Sequence, residues 1–175
     1  EDGTVTRDRL WLALAILLPS LAATIAPMST VDLAYQVRAG ELMLESLAVL
    51  RTDPFTFTAM GDPWLNQQWG AGVLFALVHG LGGWGGLALF RAVLIAAAVG
   101  FVLIGCRRWL PARPAALLAL AGFVVGIAAL GLRAQLFGIV PFAAVRARLA
   151  WRHARPRLAW ASPLRRFDQN ASTGN

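Results

Sequence analysis

The run LWLALAILLPSLAATIAP, Leu10–Pro27, decides the fold: it has no charge along its whole length and is bounded by Arg9 on one side and a polar interlude on the other. A bilayer's hydrocarbon core needs about 20 apolar residues of helix, and this stretch comes close. Working outward, the same character returns at Leu65–Phe90 (broken only by His79), Ala92–Cys106, Ala115–Leu132 and, more briefly, Ala134–Val145. Apolar residues arrive in blocks rather than in the alternations of a soluble domain. With 58% hydrophobic and 14% charged residues, and a mean hydropathy of +0.61, the 175-residue chain lies outside the usual soluble balance. The expected fold class is all-α: a polytopic membrane protein with three or four transmembrane spans and an external loop of about 40 residues containing short amphipathic helices. Arg7, Arg9 and the small residues Ala22-Ala23-Thr24 also fit a cleavable signal peptide; the hydrophobic runs that follow favour a retained first helix. Residues 1–160 read as one helical membrane domain, and 161–175 as a polar tail without periodicity, expected to be disordered.

Charge sets the orientation. Residues 1–105 carry a net −3 and residues 106–175 a net +10, all of the positive charge being arginine. Basic clusters abut hydrophobic runs, as the positive-inside rule expects of cytoplasmic flanks, and this accounts for the arginines without a nucleic-acid partner. The expected location is a bacterial inner membrane with the N-terminus cytoplasmic, and Arg146–Arg157 held against anionic lipid headgroups. The loop at 28–68 is then external. Two topologies stay open for Trp69–Leu81. Both it and Leu87–Cys106 span, joined by Gly82-Gly83-Trp84-Gly85-Gly86, or it is a short external or re-entrant helix and only Gly86–Cys106 spans. The second puts Arg107, Arg108 and Arg113 on the inside and leaves Arg91 to snorkel near the outer end of its helix.

The external loop holds five of the nine acidic residues: Asp32, Glu41, Glu45, Asp53 and Asp62. Val31–Leu50 is an amphipathic helix by pattern, Asp53-Pro54 and Gly61-Asp62-Pro63 are turn signals, and Phe55-Thr56-Phe57-Thr58 alternates like a short strand. A carboxylate at Asp32, close to the headgroup level, suits general-base work; as a plain structural residue it would cap the following helix. Asp53 has turn formation as its structural role. Between apolar runs, Arg133 and Gln135 place a planar cation and an amide; arginine suits a pair of phosphate oxygens, and an interfacial, snorkelling arginine is the structural alternative. His79 and His153 lie in unlike settings with no Cys or paired carboxylate nearby, so no metal ligand set is expected. The glycines at 82–86 lack the lysine of a phosphate loop and read as a turn or close-packing site. Asn170-Ala171-Ser172 is a minimal glycosylation sequon in a segment expected on the inner side.

In order along the chain, Asp32, Gly40-Glu41, Arg51-Thr52-Asp53-Pro54-Phe55-Thr56-Phe57-Thr58, Gly61-x-Pro63-Trp64, Gln68-Trp69, Gly82-Gly83…Gly86-Leu87…Arg91 and Leu132-Arg133-Ala134-Gln135-Leu136-Phe137 resemble the N-terminal part of the multispanning bacterial glycosyltransferases with the C-type fold. These use polyprenyl-phosphate-sugar donors and are related to protein mannosyltransferases and aminoarabinose transferases. The resemblance implies that Asp32 is the catalytic base, that Asp53 is a second carboxylate of the site, and that Arg133, with Gln135, binds the lipid phosphate during an inverting transfer. It gives no basis for assigning a metal or cofactor to this chain. Because that family usually has seven or more spans, the chain is expected to be an N-terminal portion or shortened relative, inactive as given. The alternative expectation is a non-catalytic accessory subunit of a larger membrane complex. The enzyme reading expects Asp32, Asp53 and Arg133 on one outward cavity. The subunit reading expects a small-residue face around Gly70, Gly72, Gly100 and Gly105 packed on a partner helix.

Overall fold

The computed structural model describes residues 2–28, 31–126 and 131–153, and within them the regular elements are five helices and no strand. They are α1 (Asp2–Ile25), α2 (Val31–Ser46), α3 (Trp69–Cys106), α4 (Ala112–Gly126) and α5 (Ala134–His153). Part of the run Ala115–Leu132, the expected tail at 161–175 with its sequon, His153's side chain and the end of the basic cluster lie outside the described residues.

Helix α3 is the hub, packing against each of the other four, while α1 also packs on α4. A straight helix of its 38 residues would run to about 57 Å, far beyond a bilayer core of about 30 Å. The chain avoids this at Gly83, whose φ of 56° and ψ of −150° are non-helical and open essentially to glycine alone. Past that residue it folds back. Phe75 and Phe90, which would sit about 22 Å apart along a continuous helix, both pack on the ring of Phe137, at 5.4 and 5.8 Å between centroids. A methyl built on Gly86 would touch the Val78 carbonyl at 3.1 Å. The glycine-rich turn is therefore the tip of a helical hairpin with a short arm, 69–82, and a long arm, 84–106.

Helix α2 lies on the short arm. Gln36 meets Gln68 and Gly40 meets Gly72, an equal advance on both helices, so the two run in the same direction. A methyl on Gly40 would come within 2.0 Å of the Gly72 oxygen; only glycine permits this approach. Leu33, Val37, Ala39 and Met43 form the buried side of α2, and the helix ends at Leu47, which takes a φ of 52°.

The remaining contacts define two ends. Arg113 stacks over Trp11 and Arg108 over Trp151, each at 5.5 Å, while Trp151 Nε1 donates to the Ile104 carbonyl and Gly105 approaches Ala147. The start of α1, the end of α3, the start of α4 and the end of α5 are thus neighbours. At the other end, Arg91 donates to the Ala23 and Ala26 carbonyls, which a helix C-terminus leaves unpaired. Arg91 is accordingly buried, not snorkelling, because the negative end of α1 is its counter-charge. In α1, Pro19 removes one ladder donor, and the Ser20 and Thr24 hydroxyls turn back on the carbonyls of Ile16 and Ser20, so that neither hydroxyl is left as a free donor.

Among the described residues, two helices are long and apolar enough to cross a membrane: α1 from Val5 to Ile25, and α3, broken at Gly83. Only 17% of the apolar window in α1 and 39% of that in α3 is buried, unlike the core helix of a soluble protein. Leu17, Leu21, Ile25, Val93, Val102 and Val125 stand exposed, an apolar surface of the kind that a membrane or a partner covers. Helix α4 is shorter, and α5 carries Arg146, Arg148 and Arg152.

The expected strand at Phe55–Thr58 is absent. Residues 51–64 form instead a closed loop held by an isolated bridge, Thr52 to Pro63, with Asp53 N donating to Asp62 O (2.9 Å), Gly61 N to Asp53 O (2.8 Å) and Trp64 N to Arg51 O (2.7 Å). Gly61, with φ of 88°, makes the reversal.

Candidate functional site

A cleft of about 410 Å³ opens where α2, the segment 64–68, the start of α3 and the start of α5 meet. Along α2 it takes Asp32, Tyr35, Gln36, Ala39 and Met43, the i, i+3, i+4 spacing of one helix face. The opposite flank carries Arg38, Glu41 and Glu45, which pair among themselves. From the loop come Trp64, Leu65, Asn66, Gln67 and Gln68, and from the start of α5 come Arg133 and Gln135.

Asp32 stands in the first turn of α2, where a carboxylate is favoured by the positive end of the helix. Its Oδ2 lies 3.7 Å from the Arg133 guanidinium, and both side chains remain largely exposed. That separation is beyond hydrogen-bond range, and an exposed pair of this kind is worth about 0–1 kcal/mol. Stability therefore does not explain the juxtaposition, and both groups keep open positions toward the cleft. Gln135, two residues further along the chain, also lines the cleft.

Asp53 stands apart. It does not line the cleft; its carboxylate accepts the Phe55 amide at 2.7 Å, the Thr56 amide at 3.1 Å and the Thr56 hydroxyl. The Thr56 hydroxyl first, and then the Phe55 amide, hold the Asp53 carboxyl below its ordinary pKa. A carboxylate so occupied holds the turn together. Its effect on the cleft is indirect: the turn sets Phe55 edge-on to both Tyr35 (5.6 Å) and Trp64 (6.2 Å), the two aromatic rings of the cleft wall.

Gln36 Nε2 donates to Gln68 Oε1 at 2.7 Å, leaving the buried Gln36 Oε1 without a partner among the described residues. Asn66 Nδ2 points to the Met43 sulfur at 3.7 Å. Of these amides only Gln68, in Gln68-Trp69, enters the sequence reading, although the signal for the others existed: Gln36 is one turn after Asp32, and Asn66-Gln67-Gln68 is a run of three amides just before an apolar helix.

His79, on the short arm of α3, lies 3.7 Å from Glu41 and packs against Trp84 across the hairpin tip. Among the described residues no group of three or more His, Cys, Asp or Glu is placed to hold a metal ion. Of the small-residue positions, Gly72 is used against α2 and Gly105 against α5, whereas Gly70 and Gly100 face open space; they do not form one free face. Compared with protein-family models, with curated proteins and with solved structures, the chain matches none.

Proposed function

We propose that the chain is the N-terminal, donor-binding part of a membrane glycosyltransferase that uses a polyprenyl-phosphate-linked sugar, lying in a bacterial inner membrane with the N-terminus and the Arg–Trp end cytoplasmic. The observation that carries this reading is the Asp32–Arg133 pair at an amide- and aromatic-lined cleft. In this reading α1 and the long arm of α3 span, α4 and α5 complete the small bundle, and the short arm of α3 is the external helix that supports α2. All three expected cytoplasmic clusters then fall at one end, consistent with the neighbours Trp11–Arg113 and Arg108–Trp151.

In the transfer, Asp32 takes the proton from an acceptor hydroxyl as that oxygen attacks the anomeric carbon. The bond from that carbon to the phosphate oxygen breaks, the configuration inverts, and Arg133 takes the charge developing on the leaving lipid phosphate. Asp32 and Arg133 face each other at the cleft, and an arriving phosphate replaces Asp32 as the partner of Arg133.

The test is sugar release from a polyprenyl-phosphate donor by the full-length parent protein in proteoliposomes, with Asp32→Asn alongside. The expected loss is at least about 100-fold. Undiminished transfer by the variant removes Asp32 from the reaction. Wild-type protein that neither transfers sugar nor binds the donor, yet purifies with a second membrane protein, makes the chain an accessory subunit.

A further inference from the structure

Resting on the reading just proposed and deepening it, we infer that the cleft receives an uncharged, hydroxyl-rich sugar ring, seated on the Gln36–Gln68 amide pair and the Tyr35–Trp64 wall. Three observations converge on that chemistry. The first is the Gln36–Gln68 amide pair, both members of which line the cleft. The Gln36–Gln68 bond uses one amide hydrogen and one oxygen, so the linked pair still presents both donors and an acceptor. A hydroxyl, which gives one hydrogen bond and takes others, is the natural complement; a carboxylate offers no donor and an ammonium no acceptor.

The second is charge. Asp32 and Arg133 are the two charged groups of the lining, of opposite sign and 3.7 Å apart. With a phosphate on Arg133 and Asp32 turned to the acceptor hydroxyl, a further charge on the sugar would meet amides and apolar side chains without a counter-ion, which is unfavourable. The third is the wall. Phe55, edge-on to both Tyr35 and Trp64, fixes two aromatic surfaces at a polar cleft, an arrangement suited to the apolar C–H face of a ring whose rim is hydroxylated.

The ring belongs either to the donor or to the acceptor, and binding measurements separate the two. Probes for the full chain in detergent micelles are farnesyl phosphate, its glucose, glucuronic acid and glucosamine conjugates, and free methyl glucoside. The glucose conjugate is expected to bind at least about tenfold tighter than either charged conjugate and than farnesyl phosphate alone. Gln36→Leu and, independently, Gln68→Leu are expected to reduce that advantage while leaving farnesyl phosphate affinity unchanged, which also shows that each variant is folded. Methyl glucoside binding that Gln36→Leu abolishes, with no binding of farnesyl phosphate, keeps the sugar ring but moves it to the acceptor side and removes the lipid-phosphate reading. Equal affinity for all four lipids, preference for a charged conjugate, or an advantage intact in both variants overturns the inference and leaves the lipid-phosphate reading standing. Absence of binding by every probe overturns both.

Discussion

The two ends of the molecule use arginine in opposite ways. At one end Arg107, Arg108, Arg113, Arg146, Arg148 and Arg152 are exposed, and those with ring partners lie over Trp11 and Trp151. Such pairs anchor a helix end at an interface without fixing any single geometry. At the other end two arginines have assigned places: Arg91 is buried on the last carbonyls of α1, and Arg133 faces one carboxylate across a cleft. Charge in bulk orients a chain in a membrane; charge in a defined place closes a helix or meets a ligand. The contrast also explains why the total of sixteen basic residues says little about chemistry.

Substitutions that break this contrast rank by how much structure each contact holds. The largest effect is expected at Gly40. In Gly40→Val the new side chain collides with the backbone of Gly72, and thermal unfolding in detergent should show a loss of about 3 kcal/mol together with loss of the cleft. Gly70→Ala, at an open position, should be neutral or gain about 0.5–1 kcal/mol. Equal tolerance at both sites would detach α2 from the short arm of α3.

Next is Arg91→Met, which leaves the α1 carbonyls without their cation and should cost about 2 kcal/mol, read as a lower midpoint by the same method. At the opposite end Arg113→Gln removes the stack on Trp11 and should cost about 0.5 kcal/mol, with ligand binding at the cleft unaltered.

The smallest effect is the pH response of the Asp53 turn. The folded-state pKa is lowered from 3.8. A depressed carboxylate contributes its stabilisation above the unfolded value and loses it as pH falls through the folded one. Protection factors at the Phe55 and Thr56 amides, corrected for the intrinsic pH dependence of exchange, should therefore hold through the neutral range and fall only below pH 3.8; a fall already at pH 5 would contradict the assignment of those bonds.

Much of the architecture was legible in the sequence because membrane-length apolar runs and turn residues are local signals. The first helix, the amphipathic segment after Val31 and the turns at Asp53 and Asp62 all follow from neighbours in the chain. The fold-back at Gly83 was legible only as an ambiguity, since a glycine-rich stretch permits both a kink and a reversal, and the choice rests on the stacking of Phe75 and Phe90 against Phe137. The strand reading of Phe55–Thr58 failed because period-two alternation over four residues has no partner strand to pair with. Asp53 and Asp32 read alike as loop carboxylates next to turn or helix signals; what separates them is that Thr56 and Phe55 occupy one, while Arg133, distant in sequence, faces the other. Arg91 was misjudged because its counter-charge is the end of a helix, which no side-chain pattern encodes.

The fold-back at Gly83 also has a geometric consequence for the site. Asp32 rides on α2, which is carried by the short arm of the hairpin, whereas Arg133 opens α5, whose far end is fixed to the tip of the long arm at Gly105 and Ile104. The acidic and the basic side chain therefore ride on opposite arms of the hairpin, and Phe137 of α5, packed on Phe75 of one arm and Phe90 of the other, is the strut that keeps the two supports together beside the cleft.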